Sequence, residues 1–294
     1  MKRPSPAPTV CVVIPCYQAQ LRPFEEVSLA QCRKVLAAHD TVLVKPGSLD
    51  LSDICSRFGI TRTESFDDAY FRGIAGYNRL MLSDDFYARF AEYDYILIHQ
   101  LDAFVFRDEL GQWCQADYDY VGAPWLPVPG VPTRLREVYI RARQYYYRWT
   151  NRIDPASRGA HKGQYMYAVG NGGFSLRRVK AMRSVLKRMA TTVNEYCAED
   201  GKVHHEDLFF SIEANRYLPR VKVPSFREAA GFAWEMFPAT AQQLNQGRLP
   251  FGCHAWQKLH PEEWRPIFSG LGISLDALVK PAAATAQTSG SIAT

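Results

Sequence analysis

The stretch YILIHQLDAFVF (95–106) is apolar for most of its length, yet sets Gln100 and Asp102 near its middle. A carboxylate at the end of a buried strand either holds a divalent cation, the usual partner of a diphosphate, or caps a turn by accepting backbone N–H bonds. In VHHEDLFFSIEANRY (203–217), Glu206 and Asp207 precede a helical pattern. The helix dipole favours acids there, but two of them beside His204 and His205 also offer a general base for a hydroxyl. In AVGNGGFSLRR (168–178), Asn171, Gly172 and Gly173 remove side-chain bulk from a turn, which suits a close ligand approach or a plain hairpin. DYVGAPW (119–125) sets Trp125 after a Gly-Ala-Pro turn, where an indole face suits a sugar ring or the core. FGCHAWQK (251–258) offers His254 as a late metal ligand or as a core histidine.

The elements that must position these residues alternate in type. TVCVVIPC (9–16) is a β-branched run, EEVSLAQCRKVLAAH (25–39) has helical spacing and TVLVKP (41–46) is apolar again, a β-α-β order. Residues 67–93 read as one or two helices, after which DYILIHQ and AFVF supply central strands. Runs apolar on both faces and separated by helices predict an α/β fold, with a mixed, mainly parallel sheet covered by helices. Ligands bind such sheets beyond the carboxyl ends of the strands, which puts Gln100 and Asp102 at the mouth of a site. The expected plan is a flexible start over 1–9, one domain over 10–278 with a basic aromatic helical insertion at about 130–160, and a disordered tail over 279–294.

Composition narrows the class. The 294 residues are 47% apolar and 13% aromatic, enough for a sizeable core. A net charge of +5 tolerates anionic ligands without the bias of a dedicated nucleic-acid binder, so no nucleic acid is expected as a partner. Seven scattered cysteines without a C-x-x-C pair indicate neither a disulfide framework nor a zinc cage, and point to a reducing, cytoplasmic compartment. No stretch reaches the roughly 20 apolar residues of a membrane span, and the start has no signal-peptide core. RLREVYIRARQYYYRWTNR (134–152) carries six arginines against one acid, interleaved with tyrosines. It suits peripheral contact with anionic lipid or a phosphate-bearing acceptor, or a surface helix whose tyrosines pack on the domain.

Taken in order, VVIPCY, GYNRLMLSDDFY, YILIHQLDAFVFRDEL, YDYVGAPW, GNGGFSLRR, HEDLFFS and FGCHAW resemble glycosyltransferases of the GT-A fold. Within them the chain is similar to a little-characterised group of bacterial and fungal proteins of unknown function, over about residues 10 to 265. The resemblance implies a nucleotide-sugar donor bound by Tyr17, Asn78, Arg79, Gln100 and Asp102. It implies a saccharide or lipid-linked acceptor near Trp125, Asn171, Gly172 and Gly173, and a role in bacterial surface polysaccharide synthesis. A divalent cation, Mn²⁺ or Mg²⁺, would sit on Asp102 and His254, and Asp207, or Glu206 as second choice, would be the catalytic base. The sequence departs from the family's D-x-D pattern, because Gln100 stands in for the first acid and brings no charge. Two other readings stay open: a non-catalytic nucleotide-sugar or glycan binder, and a metal-dependent hydrolase using His99, Asp102, His204, His205, Glu206 and His254. Against the hydrolase, no H-E-x-x-H or comparable ligand pair is present.

Overall fold

The computed structural model describes residues 7–129, 134–155, 159–198 and 205–278. His204, the tail over 279–294 and most of the expected flexible start lie outside them. The strands are β1 (Val10–Pro15), β2 (Asp40–Pro46), β3 (Arg62–Phe66), β4 (Tyr95–His99), β5 (Ala103–Val105), β6 (Tyr120–Val121), β7 (Ala123–Pro124), β8 (Val169–Gly170), β9 (Phe174–Arg178), β10 (Ala233–Trp234) and β11 (Gly252–His254). A 6-stranded sheet has the order β3-β2-β1-β4-β9-β6. β3, β2, β1 and β4 run parallel, while β9 lies antiparallel between β4 and β6. The fold is therefore α/β, with a mixed, mainly parallel sheet flanked by helices, as the strand and helix patterns predict.

Strand alternation divides the core between the two faces of this sheet. Val12, Ile14 and Leu97 pack on one side with the helix Pro23–Val35, while Cys11, Val13, Ile96 and Ile98 pack on the other with Phe86, Tyr87 and Phe210. All these side chains are buried, each worth about 1.5–3 kcal/mol for the large aliphatic ones. Residues 67–93 form a short 3-10 turn and two helices, Gly73–Met81 and Asp84–Ala88.

One expectation needs correction. AFVF does not continue the central strand: after β4 the chain turns at Leu101 and Asp102, and β5 joins a separate 3-stranded sheet of order β10-β11-β5. Its partner β11 runs antiparallel, with His254 opposite Ala103. A third cluster built on Trp234, Trp256, Trp264 and Phe268 anchors that small sheet, so the C-terminal segment returns to the end of β4.

Candidate active site

The strand order reverses between β1 and β4, and there a cleft of about 560 Å³ opens beyond their carboxyl ends. Tyr17, Asn78, Gln100, Asp102, Gly172, Gly173, Glu206, Asp207 and His254 from the sequence reading all line it. Arg79, Trp125 and Asn171 lie outside that lining. Trp125 is half-buried, with its ring against Tyr165 at 5.4 Å between centroids.

On one wall, pairing of β11 with β5 carries His254 to the end of β4. Its Nε2 lies 3.0 Å from Asp102 Oδ1 and 3.2 Å from Gln100 Oε1. Its Nδ1 lies 2.8 Å from Oε1 of Glu235, the residue that follows β10. Lys258 Nζ donates to the other Asp102 oxygen at 3.1 Å. Both oxygens of Asp102 thus engage side chains of the 254–258 segment, and the turn-capping reading of this acid gives way to a tertiary one. Burial works against the charges here, but the neighbours prevail. Asp102 and Glu235 raise the His254 imidazole to about 10. His254 and Lys258 hold the Asp102 carboxyl well below the usual carboxylate range.

With the Nε2 proton of His254 displaced, this donor set would fit a divalent cation. Two oxygens and an imidazole nitrogen converge, and Glu235 on the far nitrogen is the kind of carboxylate partner that orients a ligating histidine. Gln100 would contribute an oxygen without charge, which would leave Asp102 as the one anionic donor of the three.

The opposite wall is the first turn of the helix Glu206–Ser211. Arg177, on β9, is fully buried and donates through Nη2 to Glu206 Oε1 at 2.9 Å. Nη1 of the same guanidinium donates to the Tyr87 hydroxyl at 3.0 Å, and its plane lies over Tyr120 and Phe210. Burial raises the Glu206 carboxyl even against this cation. Asp207 is half-buried; its Oδ2 accepts from the Asn171 N–H at 3.1 Å and its Oδ1 from the Leu208 N–H at 2.8 Å. Burial and the nearby Glu235 charge push its carboxyl up to about 6. Four buried atoms of cleft-lining residues have no hydrogen-bond partner among the described residues: the Tyr77 hydroxyl, Asn78 Nδ2, a donor, Glu206 Oε2 and Gln257 Oε1.

The loop between β8 and β9 locks these walls together. Asn171 sits at a φ of 76°, and its Oδ1 accepts from the Gly173 N–H at 2.9 Å, so the side chain serves its own turn. The two glycines make room for side chains of the site itself. A Cβ on Gly172 would lie 2.1 Å from Glu206 Oε1, and one on Gly173 2.0 Å from His254 Nε2. Gly173→Ala is expected to displace the imidazole and to cost about 1–3 kcal/mol in denaturant unfolding. Gly111→Ala, where an added Cβ meets nothing within 4 Å, is the control that leaves stability unchanged or slightly higher. Equal midpoints for the two variants would show that the packing around Gly173 is not tight.

The residues that sequence reasoning missed are Glu235, Lys258 and Arg177. Lys258 belongs to the segment FGCHAWQK that carries His254, but no helix joins the two, and its type and spacing do not mark it as a partner of Asp102. Glu235 and Arg177 carried no signal either, since each acts through a partner distant in sequence.

The fold and site together define an α/β protein with acids and cations gathered at the carboxyl ends of parallel strands. Residues 61–254 match the family described as "Protein of unknown function (DUF5672)", and the chain belongs to that family. The matched span contains Asp102, Asp207 and His254, and ends before Lys258. A comparison with curated proteins finds no match. Among solved structures, the chain is similar to the crystal structure of mouse xyloside xylosyltransferase 1 in its apo form, at 11% identity and a TM-score of 0.49, covering 84% of this chain and 97% of that one.

Proposed function

We propose that the chain is a GT-A-type glycosyltransferase that moves a sugar from a nucleotide-sugar donor to a hydroxyl of a saccharide or lipid-linked acceptor, in synthesis of a surface polysaccharide or similar glycoconjugate. The observation that carries this reading is the division of one cleft between a wall with Asp102, His254 and Lys258 and a wall bearing Asp207, raised to about 6.

Each wall suits one half of a displacement at an anomeric carbon. Tyr17, 57% exposed on the cleft lining, offers a ring face to a nucleobase. Lys258 places an ammonium where a diphosphate would lie. A divalent cation on Asp102, Gln100 and His254 would supply further positive charge against the departing diphosphate. Asn78 Nδ2 and Glu206 Oε2 provide an unpaired donor and acceptor for sugar hydroxyls. Asp207 takes the proton of the acceptor hydroxyl as its oxygen bonds to the anomeric carbon, and the bond from that carbon to the diphosphate oxygen breaks, its electron pair leaving with the nucleoside diphosphate.

The hydrolase reading has less support. His99 is fully buried with its ring against Phe174, and does not join Asp102 and His254 on the cleft lining. Among the described residues, the only grouping of three potential ligands from His, Cys, Asp and Glu is His260, Glu262 and Glu263, outside that lining.

The test is a thermal-shift screen of nucleotide sugars with and without Mn²⁺ or Mg²⁺. One donor is expected to raise the melting temperature, by the equivalent of about 2.7 kcal/mol at a hundredfold excess over its Kd. A shift only with metal supports Asp102 and His254 as ligands, and a shift without it removes the cation from the reaction. If no nucleotide or nucleotide sugar moves the transition, the donor site is wrongly placed. Sugar release without an acceptor would favour the hydrolase.

A further inference from the structure

The helix Arg134–Trp149 reverses the usual arrangement of an amphipathic helix. Such a helix ordinarily buries its apolar stripe and wets its polar face. Here Ile140 and Gln144 are its buried residues, and Arg148 is fixed to the domain through Nε, which donates to the Gln164 carbonyl at 2.7 Å. The lone acid, Glu137, also faces inward, paired with Arg227 at 2.5 Å. The apolar residues point out. Leu135, Val138, Tyr139, Tyr145, Tyr146 and Trp149 are exposed by 82, 65, 63, 71, 60 and 59%. Their spacing places all of them on one face of the helix. Trp149 meets the ring of Tyr217 at 5.9 Å, so Tyr217 and Leu218, also exposed, extend the patch beyond the helix.

The charge pattern selects what covers this face. By helical geometry Arg134 and Arg141 border the apolar stripe on one side and Arg143 on the other, all three exposed. An aromatic and aliphatic face framed by cations matches the boundary between acyl chains and anionic headgroups, with tyrosine and tryptophan at the depth they favour. A second copy of the chain is a poorer occupant, because two-fold pairing of this face would set its arginine borders near one another.

We propose that the outer face of the helix Arg134–Trp149 is a docking surface for an anionic membrane, holding the protein at the lipid surface without crossing it. No helix among the described residues is long and apolar enough to cross a membrane. The proposal stands apart from the transferase reading, since none of these residues lines the cleft.

The experiment is flotation of the full chain with vesicles of phosphatidylcholine alone or with one-third phosphatidylglycerol. Binding is expected to the anionic vesicles, to weaken with salt, and to be slight on the neutral ones. Changing each of Arg134, Arg141 and Arg143 to Gln should weaken it about fivefold. The double variant Tyr145→Ser/Trp149→Ser should weaken it about tenfold or more, with an unchanged melting temperature because both side chains are exposed. In the wild type, bromine-labelled acyl chains should quench tryptophan emission, a readout that needs no variant. Absence of binding to anionic vesicles at low salt, wild-type binding by the double variant, or no quenching would overturn the proposal. So would sedimentation showing a dimer that the double variant dissolves, which would assign the face to a second copy.

Discussion

Asp207→Asn is expected to lower turnover by about 10²–10⁴-fold, the usual worth of a positioned general base, and to leave donor binding within about twofold by thermal shift. The amide oxygen can accept from the Asn171 or the Leu208 N–H while its NH2 faces the other, so one of the two backbone contacts is kept and the carboxylate is lost. Because burial and Glu235 raise the Asp207 carboxyl to about 6, the wild-type rate should climb with pH to about that value and then level. Stability should move the other way. The folded state holds this proton more tightly than the unfolded chain does, so ionisation of Asp207 costs stability as pH rises from about 4 through about 6. At neutral pH the relief of that charge offsets the one backbone contact that Asn cannot make, so Asp207→Asn should melt close to wild type. Undiminished transfer by the variant would remove Asp207 from the chemistry and favour a binding module.

Arg177→Met carries the largest expected effect on folding. It leaves the Glu206 carboxylate buried without its cation, and breaking such a pair from one side costs about 3–5 kcal/mol. Burial already raises Glu206 with the arginine present, and without it the carboxyl rises further. The deficit should therefore shrink as pH falls and Glu206 takes up a proton. Removing both charges with Arg177→Met/Glu206→Gln should recover part of the loss. Urea unfolding at two pH values measures this, with Arg183→Met as the comparison, since its pair with Asp84 is half exposed and worth about 0–1 kcal/mol. If the two single variants lose the same stability, Arg177 is not the support of the acid wall.

What the sequence discloses and what it hides divide along a physical line. β1, β2 and β4 are legible because strands buried on both faces read as unbroken apolar runs, and the position of Gln100 and Asp102 follows from where such a run stops. The separate sheet of β5 is not legible, because a three-residue apolar strand carries no mark of its partner. Glu206 and Asp207 are visible as acids at a helix start, yet only the fold assigns them different surroundings: one paired with Arg177, the other held by two backbone N–H groups. Gly172 and Gly173 suggest an open approach to a ligand, whereas the bulk they make room for belongs to Glu206 and His254. The Asp102–His254 contact joins residues about 150 positions apart, and no local pattern encodes that meeting.

That separation also sets an order of assembly. All strands of the large sheet lie between Val10 and Arg178, so their order can be set before the remainder of the chain, with Phe209 and Phe210, is placed on one of its faces. The small sheet closes only when Gly252–His254 pairs with Ala103–Val105, and loops of that length close late because their entropy is lost before any contact repays it. A chain halted or clipped before Gly252 would retain every strand of the large sheet but lack His254 and Lys258, together with Trp256, Trp264 and Phe268 of the third cluster. Competence at this site is thus a property of the finished polypeptide, with the last strand acting as a check on completeness.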